Sequence, residues 1–182
     1  MPTATDTPVL ILTGPPGAGK TTVAAILAAR SDSAVHLEAD LFFNFIRSGF
    51  VEPWRPESHE QNGVVMAIVG EAAAAYAAAG YFTIVDGIVI PRWYLGPLRE
   101  VIEAAGLAVA YAVLRPSLPI CIAQVNAREG GALAEPAVIE QLWDEFAELG
   151  EFERNVIEVD GERPEETADA ISRLLGDGKL TL

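Results

Sequence analysis

The octapeptide Gly14-Pro15-Pro16-Gly17-Ala18-Gly19-Lys20-Thr21 stands between an apolar, β-branched run, Val9-Leu10-Ile11-Leu12-Thr13, and an alanine-rich stretch of helical period over residues 21–30. Strand, glycine loop and helix in that order decide the fold. Glycines let the backbone curl until successive N–H groups point inward, and the helix that follows adds the partial positive charge of its N-terminus. Lys20 puts a full charge in the same turn, and the Thr21 hydroxyl is placed to sit on a divalent cation. This phosphate-binding loop, or P-loop, fits a nucleoside triphosphate. ATP with Mg²⁺ is therefore the expected cofactor pair, held by Gly14, Pro15, Pro16, Gly17, Ala18, Gly19, Lys20, Thr21 and Thr22.

The chain has 182 residues, which suits a single domain able to bury roughly 70% of the surface of its unfolded chain. Its one cysteine, Cys121, cannot close an internal disulfide, and its neighbours Ile120 and Ile122 mark it as a small buried hydrophobe. The formal net charge of −14 repels polyanions, so neither nucleic acid nor an anionic membrane surface is an expected partner. Only two lysines exist, Lys20 and Lys179, and any anion site must be local. Residues 1–8 lack the basic segment and long apolar core of a signal peptide, so they read as a disordered lead-in and a cytoplasmic location is expected. Residues 63–85 carry a single charge, Glu71, and are nearly long enough to cross a bilayer. Their pattern is instead a helix stopped at Gly80 and a core strand.

Outward from the P-loop, strands are expected at residues 9–13, 35–38, 82–85, 107–114 and 156–159. Helices are expected at 21–30, 41–46, 57–79, 92–105, 117–127, 135–149 and 164–176. Strands alternating with helices imply an α/β fold: a three-layer P-loop NTPase domain with a five-stranded parallel sheet and helices on both faces. In such a sheet, ligands bind beyond the carboxyl ends of the strands. Asp40, Asp86, Arg115 and Asp160 all follow strands and should share the P-loop's edge.

Asp86, after an apolar strand, is placed to hold Mg²⁺ together with Thr21. Asp40 either caps the helix beginning at Leu41 or accepts a proton from an attacking hydroxyl beside the γ-phosphate; Glu38 is the alternative base. Together these residues resemble the small P-loop kinases of the nucleoside monophosphate kinase-like group, which includes the shikimate and gluconate kinases and the chloramphenicol phosphotransferase. The resemblance rests on the P-loop, on Asp40, on Asp86-Gly87, and on Arg128 ahead of a glycine-bearing break, and it spans nearly the whole chain. It implies a short lid over residues 128–135, with Arg128 closing on the phosphates as a catalytic group beside Lys20 and Asp40. Where many members carry an adenine-stacking arginine this chain has Gln124, and Asp160-Gly161-Glu162-Arg163 looks like the group's adenine-side loop.

The function so implied is ATP-dependent transfer of the γ-phosphate to a hydroxyl of a small-molecule acceptor; the alternative is an ATP-binding switch or ATPase module without one. The acceptor side falls between the second and third strands, where Phe42, Phe43, Phe45, Phe50, Trp54, Asn62 and His59 gather with Arg47 and Arg55. Arg47, Arg55 and Arg92 could meet an acidic acceptor group, while the phenylalanines at helical spacing also suit a core. His36 and His59 are lone histidines that do not suggest a metal site.

Overall fold

The computed structural model describes residues 7–127 and 135–182. Five strands, β1 (Val9–Thr13), β2 (Ala34–Glu38), β3 (Phe82–Asp86), β4 (Val109–Arg115) and β5 (Val156–Glu158), form one sheet in the order β2-β3-β1-β4-β5. Every pairing between them is parallel. The central strands are apolar runs because both faces of the sheet are covered. Side chains alternate along β1 and β4. Val9, Ile11, Val109, Tyr111 and Val113 pack on one side against α3 (His59–Ala78) and α4 (Gly96–Ala104). Leu10, Leu12, Ala110, Ala112 and Leu114 pack on the other against α1 (Lys20–Ala29) and α7 (Pro164–Gly176). Fully burying each large apolar side chain of these two layers is worth about 1.5–3 kcal/mol, which the ordering entropy of the chain largely offsets.

The chain winds from β1 towards β3 and β2 on one side and towards β4 and β5 on the other. The crevice at such a reversal opens at the carboxyl end of β1, where the P-loop begins. β5 pairs only with Val113–Arg115, and the lower half of β4 takes the chain end instead. Tyr111 N–H donates to Leu180 O at 2.9 Å and Leu182 N–H to Val109 O at 3.0 Å. Asn155 Nδ2 donates to Tyr111 O at 2.9 Å, between the two segments.

Most expected elements fall where the pattern places them. α2 (Ala39–Phe43) begins earlier than expected, with Glu38 at its N-cap, so Asp40 lies in its first turn and is not a cap. The helix expected over residues 135–149 is α6 (Pro136–Asp144), followed by a turn and a 3₁₀ helix, Gly150–Asn155. Arg115 explains the break. Its Nη1 donates to the carbonyls of Phe146 and Ala147 at 3.1 and 3.3 Å, and the Leu149 N–H donates to Glu153 Oε1 at 2.8 Å. These bonds replace the helical ladder, and ion pairs to Glu153 and Glu158 hold the guanidinium in place. Arg115 is thus a clasp at the end of β4, and it keeps the Glu153 carboxyl below its usual range. Residues 63–85 split into α3 and β3 as their pattern requires, and among the described residues no helix is long and apolar enough to cross a membrane.

Candidate active site

β1 delivers the chain to Gly14 (φ +144°), and Gly17 (φ +82°) and Gly19 (φ +83°) carry it round to the first turn of α1. Two of these positions admit no side chain. A Cβ on Gly14 would stand 2.1 Å from Leu114 O, and one on Gly17 would stand 2.4 Å from Cys121 O. Backbone carbonyls cannot swing aside. We expect Gly17→Ala to lower the melting temperature by on the order of 5 °C, from about 2 kcal/mol of strain, and to weaken ATP binding. Gly19, with nothing within 4 Å of its Cβ position, should tolerate alanine better. Calorimetric melts of both variants, with ATP titrations, check the order; equal losses would contradict it. Cys121 is fully buried, and burial pushes its thiol up to about 11, as suits a packing residue behind the loop.

Lys20 is buried, and its Nζ donates to Gly14 O and Pro15 O, each at 3.0 Å. The loop's own carbonyls thus offset the desolvation of the ammonium and aim it back across the cradle. Thr21 and Thr22 are exposed at the start of α1. Asp86 pairs in register with Leu12, next to the strand that feeds the loop, and with Glu38 on β2. Glu38 and Asp86 therefore share one sheet face. His36, two residues before Glu38, reaches the same place: its Nε2 lies 3.2 Å from Asp86 Oδ2. Asp86 is only 4% exposed, so this imidazole is the partner that makes its burial tolerable. A hydroxyl and a carboxylate are the hard oxygen donors that Mg²⁺ prefers, and they fit a cation whose other ligands come from triphosphate and water.

The loop leaving β3 is tied to the P-loop strand. Val89 N–H donates to Thr13 Oγ1 at 2.8 Å, and the fully buried Tyr111 hydroxyl donates to Val89 O at 2.8 Å. This loop and the turn Pro91–Leu95 form one wall of a cavity of about 230 Å³, through Ile88, Ile90, Trp93 and Tyr94. α2, residues 50–54, α3 and Leu142 of α6 supply the rest, with Asp40, Phe43, Trp54 and Asn62 among them. Asn62 is 1% exposed, and its Nδ2 donates to Pro53 O at 2.8 Å and to the Tyr94 hydroxyl at 2.9 Å. On the opposite side of the P-loop a smaller cavity of about 140 Å³ lies over Gly17–Gly19, between Val23, Leu114, Ile120, Gln124, Val159 and Glu162. Asp160 Oδ1 accepts the Ser117 N–H at 2.6 Å and holds its outer loop against α5 (Leu118–Asn126).

A phosphate cradle between two cavities, on this sheet order, agrees with the comparisons with known proteins. Residues 9–149 match a family described as an AAA domain. The chain belongs to that family. No protein of curated function matches it by sequence. Among solved structures, the tunicamycin resistance protein of Deinococcus radiodurans superposes with a TM-score of 0.71 at 20% identity, covering 93% of this chain and 96% of that one. A sugar kinase from a Janibacter species gives 0.69 at 24% identity over 93% and 95%. The shikimate kinase of Acinetobacter baumannii in complex with shikimate gives 0.66 at 19% identity over 97% of each chain. At these identities the likeness concerns the fold, which is that of the P-loop kinases.

In this AAA domain the expected site residues separate into groups. Lys20, Thr21, Thr22 and Asp86 gather at the P-loop edge, Asp40 lines the larger cavity and Gln124 lines the smaller one. Arg128 and nearly all of the expected lid lie outside the described residues, as do residues 1–6 of the expected lead-in. Arg92 does not serve the larger cavity: it pairs with Glu145 and stacks its guanidinium 4.9 Å from the Trp93 ring centre. Arg55 pairs with Glu52 at 3.0 Å. Phe43 is buried and also lines the cavity, whereas Phe45 is 76% exposed, so the phenylalanines do not form one core stripe. Sequence reading passed over His36 as a lone histidine and overlooked Trp93-Tyr94 as cavity residues. An aromatic pair just past a strand's carboxyl end, at the ligand-binding rim, was the signal for the latter.

Proposed function

We propose that this AAA domain is an ATP-dependent phosphotransferase that moves the γ-phosphate to a hydroxyl of a small molecule. The observation that carries the reading is Asp40, the one carboxylate among the described residues of a mostly apolar cavity that shares the sheet's ligand-binding rim with the P-loop. ATP would lie with its phosphates along residues 14–22 and its base in the smaller cavity beside Gln124. Loop N–H groups and the α1 N-terminus would bind the phosphates, and Lys20 would leave its carbonyl partners to meet the β- and γ-phosphates. Thr21 and Asp86 would hold Mg²⁺, with His36 fixing the Asp86 carboxylate; bound there, the ion neutralises phosphate charge. Asp40 accepts the acceptor's hydroxyl proton as that oxygen bonds to the γ-phosphorus and the bond to the β–γ bridging oxygen breaks, leaving ADP. Arg128 enters from the family resemblance alone, as a further cation over the phosphates.

The test is steady-state ADP release with MgATP, alone and with a panel of sugars, nucleosides, hydroxy acids and neutral alcohols. We expect slow release alone and a rise of at least about tenfold with one class of acceptor. Release that no acceptor stimulates, combined with an ATP-gated protein complex, would favour a nucleotide switch instead. GTP in place of ATP probes the Gln124 cavity, where we expect adenine to be preferred.

A further inference from the structure

Where β3 leaves the sheet, side chains take over from the ladder. β3 pairs with β1 as far as Asp86 opposite Leu12, and the Gly87 N–H adds a bond to Leu12 O at 3.3 Å. Val89 lies beyond that ladder, and both polar groups of its backbone are held by side chains. Its N–H donates to Thr13 Oγ1 at 2.8 Å, and its carbonyl accepts the Tyr111 hydroxyl at 2.8 Å. Val89, Thr13 and Tyr111 are all fully buried, so these bonds satisfy groups that water does not reach. Thr13 is the one polar residue of β1 and directly precedes Gly14 of the P-loop. A valine would suit a buried strand equally well; the hydroxyl is what threonine adds. Thr13 and Tyr111 share one sheet face, because Thr13 stands opposite Val113 and Ile11 opposite Tyr111.

The segment so held meets each part of the acceptor side. A Cβ on Gly87 would stand 2.8 Å from the Cβ of Ala39, so the bare backbone of Gly87 seats the first residue of α2, next to Asp40. Ile88 and Ile90, which flank Val89, line the larger cavity. A shift at Val89 therefore moves the cavity wall, and the seat of α2 with it, relative to the P-loop. In-line transfer needs the reacting atoms within roughly 3–3.5 Å, and a misplacement of about 1 Å costs on the order of a hundredfold.

We infer that Thr13 is a positioning residue, which through the Val89 N–H holds the acceptor wall at a fixed distance from the phosphate cradle. Its consequence for transfer rests on the phosphotransferase reading; the tie itself does not. Phosphates bind the P-loop only while the carboxyl end of β1 is in place. Bound nucleotide thus stabilises the tied state against local openings that pull Val89 from Thr13.

The test is hydrogen-exchange mass spectrometry of the full chain over residues 86–95, without nucleotide and with Mg²⁺ and saturating adenylyl-imidodiphosphate. In the wild type the nucleotide should slow exchange there at least about fivefold. Thr13→Val should reduce that response to less than about twofold, with nucleotide affinity within about threefold of the wild type. Thr13→Ala, which removes the hydroxyl without setting a methyl against the Val89 amide, should do the same and serves if the valine variant does not fold. Thr13→Ser should restore the response. Tyr111→Phe loses a buried hydrogen bond of the same length but leaves Val89 on Thr13, so it should lower the melting temperature comparably and keep the response. A response absent from the wild type, retained without the Thr13 hydroxyl, or lost equally in Tyr111→Phe would overturn the inference. In the acceptor panel, Thr13→Val should lower kcat about a hundredfold with KM for ATP within about twofold. Wild-type turnover in that variant would remove the positioning role and leave phosphoryl transfer standing. A panel that stimulates nothing in the wild type removes the phosphotransferase reading, and the exchange result then decides the tie alone.

Discussion

Lys20→Met is expected to reduce acceptor-dependent phosphoryl transfer by at least about a hundredfold to a thousandfold, the usual loss when one preorganised charge facing a transition state is removed. Methionine keeps the length and apolar stem of the side chain and removes only the ammonium. That ammonium holds Gly14 O and Pro15 O at 3.0 Å, so its loss should also loosen the cradle and raise the dissociation constant for ATP. The fold should survive, because the two core layers on β1 and β4 do not depend on Lys20. Initial rates, ATP titration and a thermal melt together separate the two effects. A variant with normal ATP affinity and a normal rate would remove Lys20 from the mechanism.

Asp40→Asn should act differently. Asparagine preserves shape in the first turn of α2 but cannot take a proton, so transfer should fall about 10²–10⁴-fold, while ATP affinity, set on the other side of the rim, stays within about twofold. The stability change should be small, since Asp40 is exposed and caps no helix. Full transfer by this variant would reject Asp40 as the base. Glu38 would be the next candidate, but it stands beside Asp86 in register and outside the larger cavity's lining, which suits a role near the cation better.

How much of this could be read from the sequence depends on whether a feature is local. The P-loop was legible because its glycines, Lys20 and flanking periodicities are contiguous, and the strands at β1, β3 and β4 because both-face burial writes them as unbroken apolar runs. The His36–Asp86 contact was not, since it requires β2 to lie beside β3, and strand order is not stated by strand existence. Arg115 illustrates the same limit. It was expected at the ligand rim as a strand-end residue, and it instead draws the carbonyls of Phe146 and Ala147 out of a helix that periodicity alone would have continued. The larger cavity was half legible: Phe43, Phe50, Trp54 and Asn62 lie in the segment where the resemblance places the acceptor. Ile88, Ile90, Trp93 and Tyr94 come from the loop after β3, joined to the site by contacts distant in sequence, among them the Thr13–Val89, Tyr111–Val89 and Asn62–Tyr94 hydrogen bonds.

The central claim is that the P-loop and the Asp40 cavity are two halves of one transfer site, and following an isotopic label from the γ-phosphate of ATP tests it most directly. With MgATP and the acceptor that stimulates ADP release, the label should appear by mass spectrometry on that acceptor's hydroxyl, one equivalent for each ADP formed, and should vanish from it in Asp40→Asn. Label found only in inorganic phosphate, at the same rate with and without acceptor, would contradict the account.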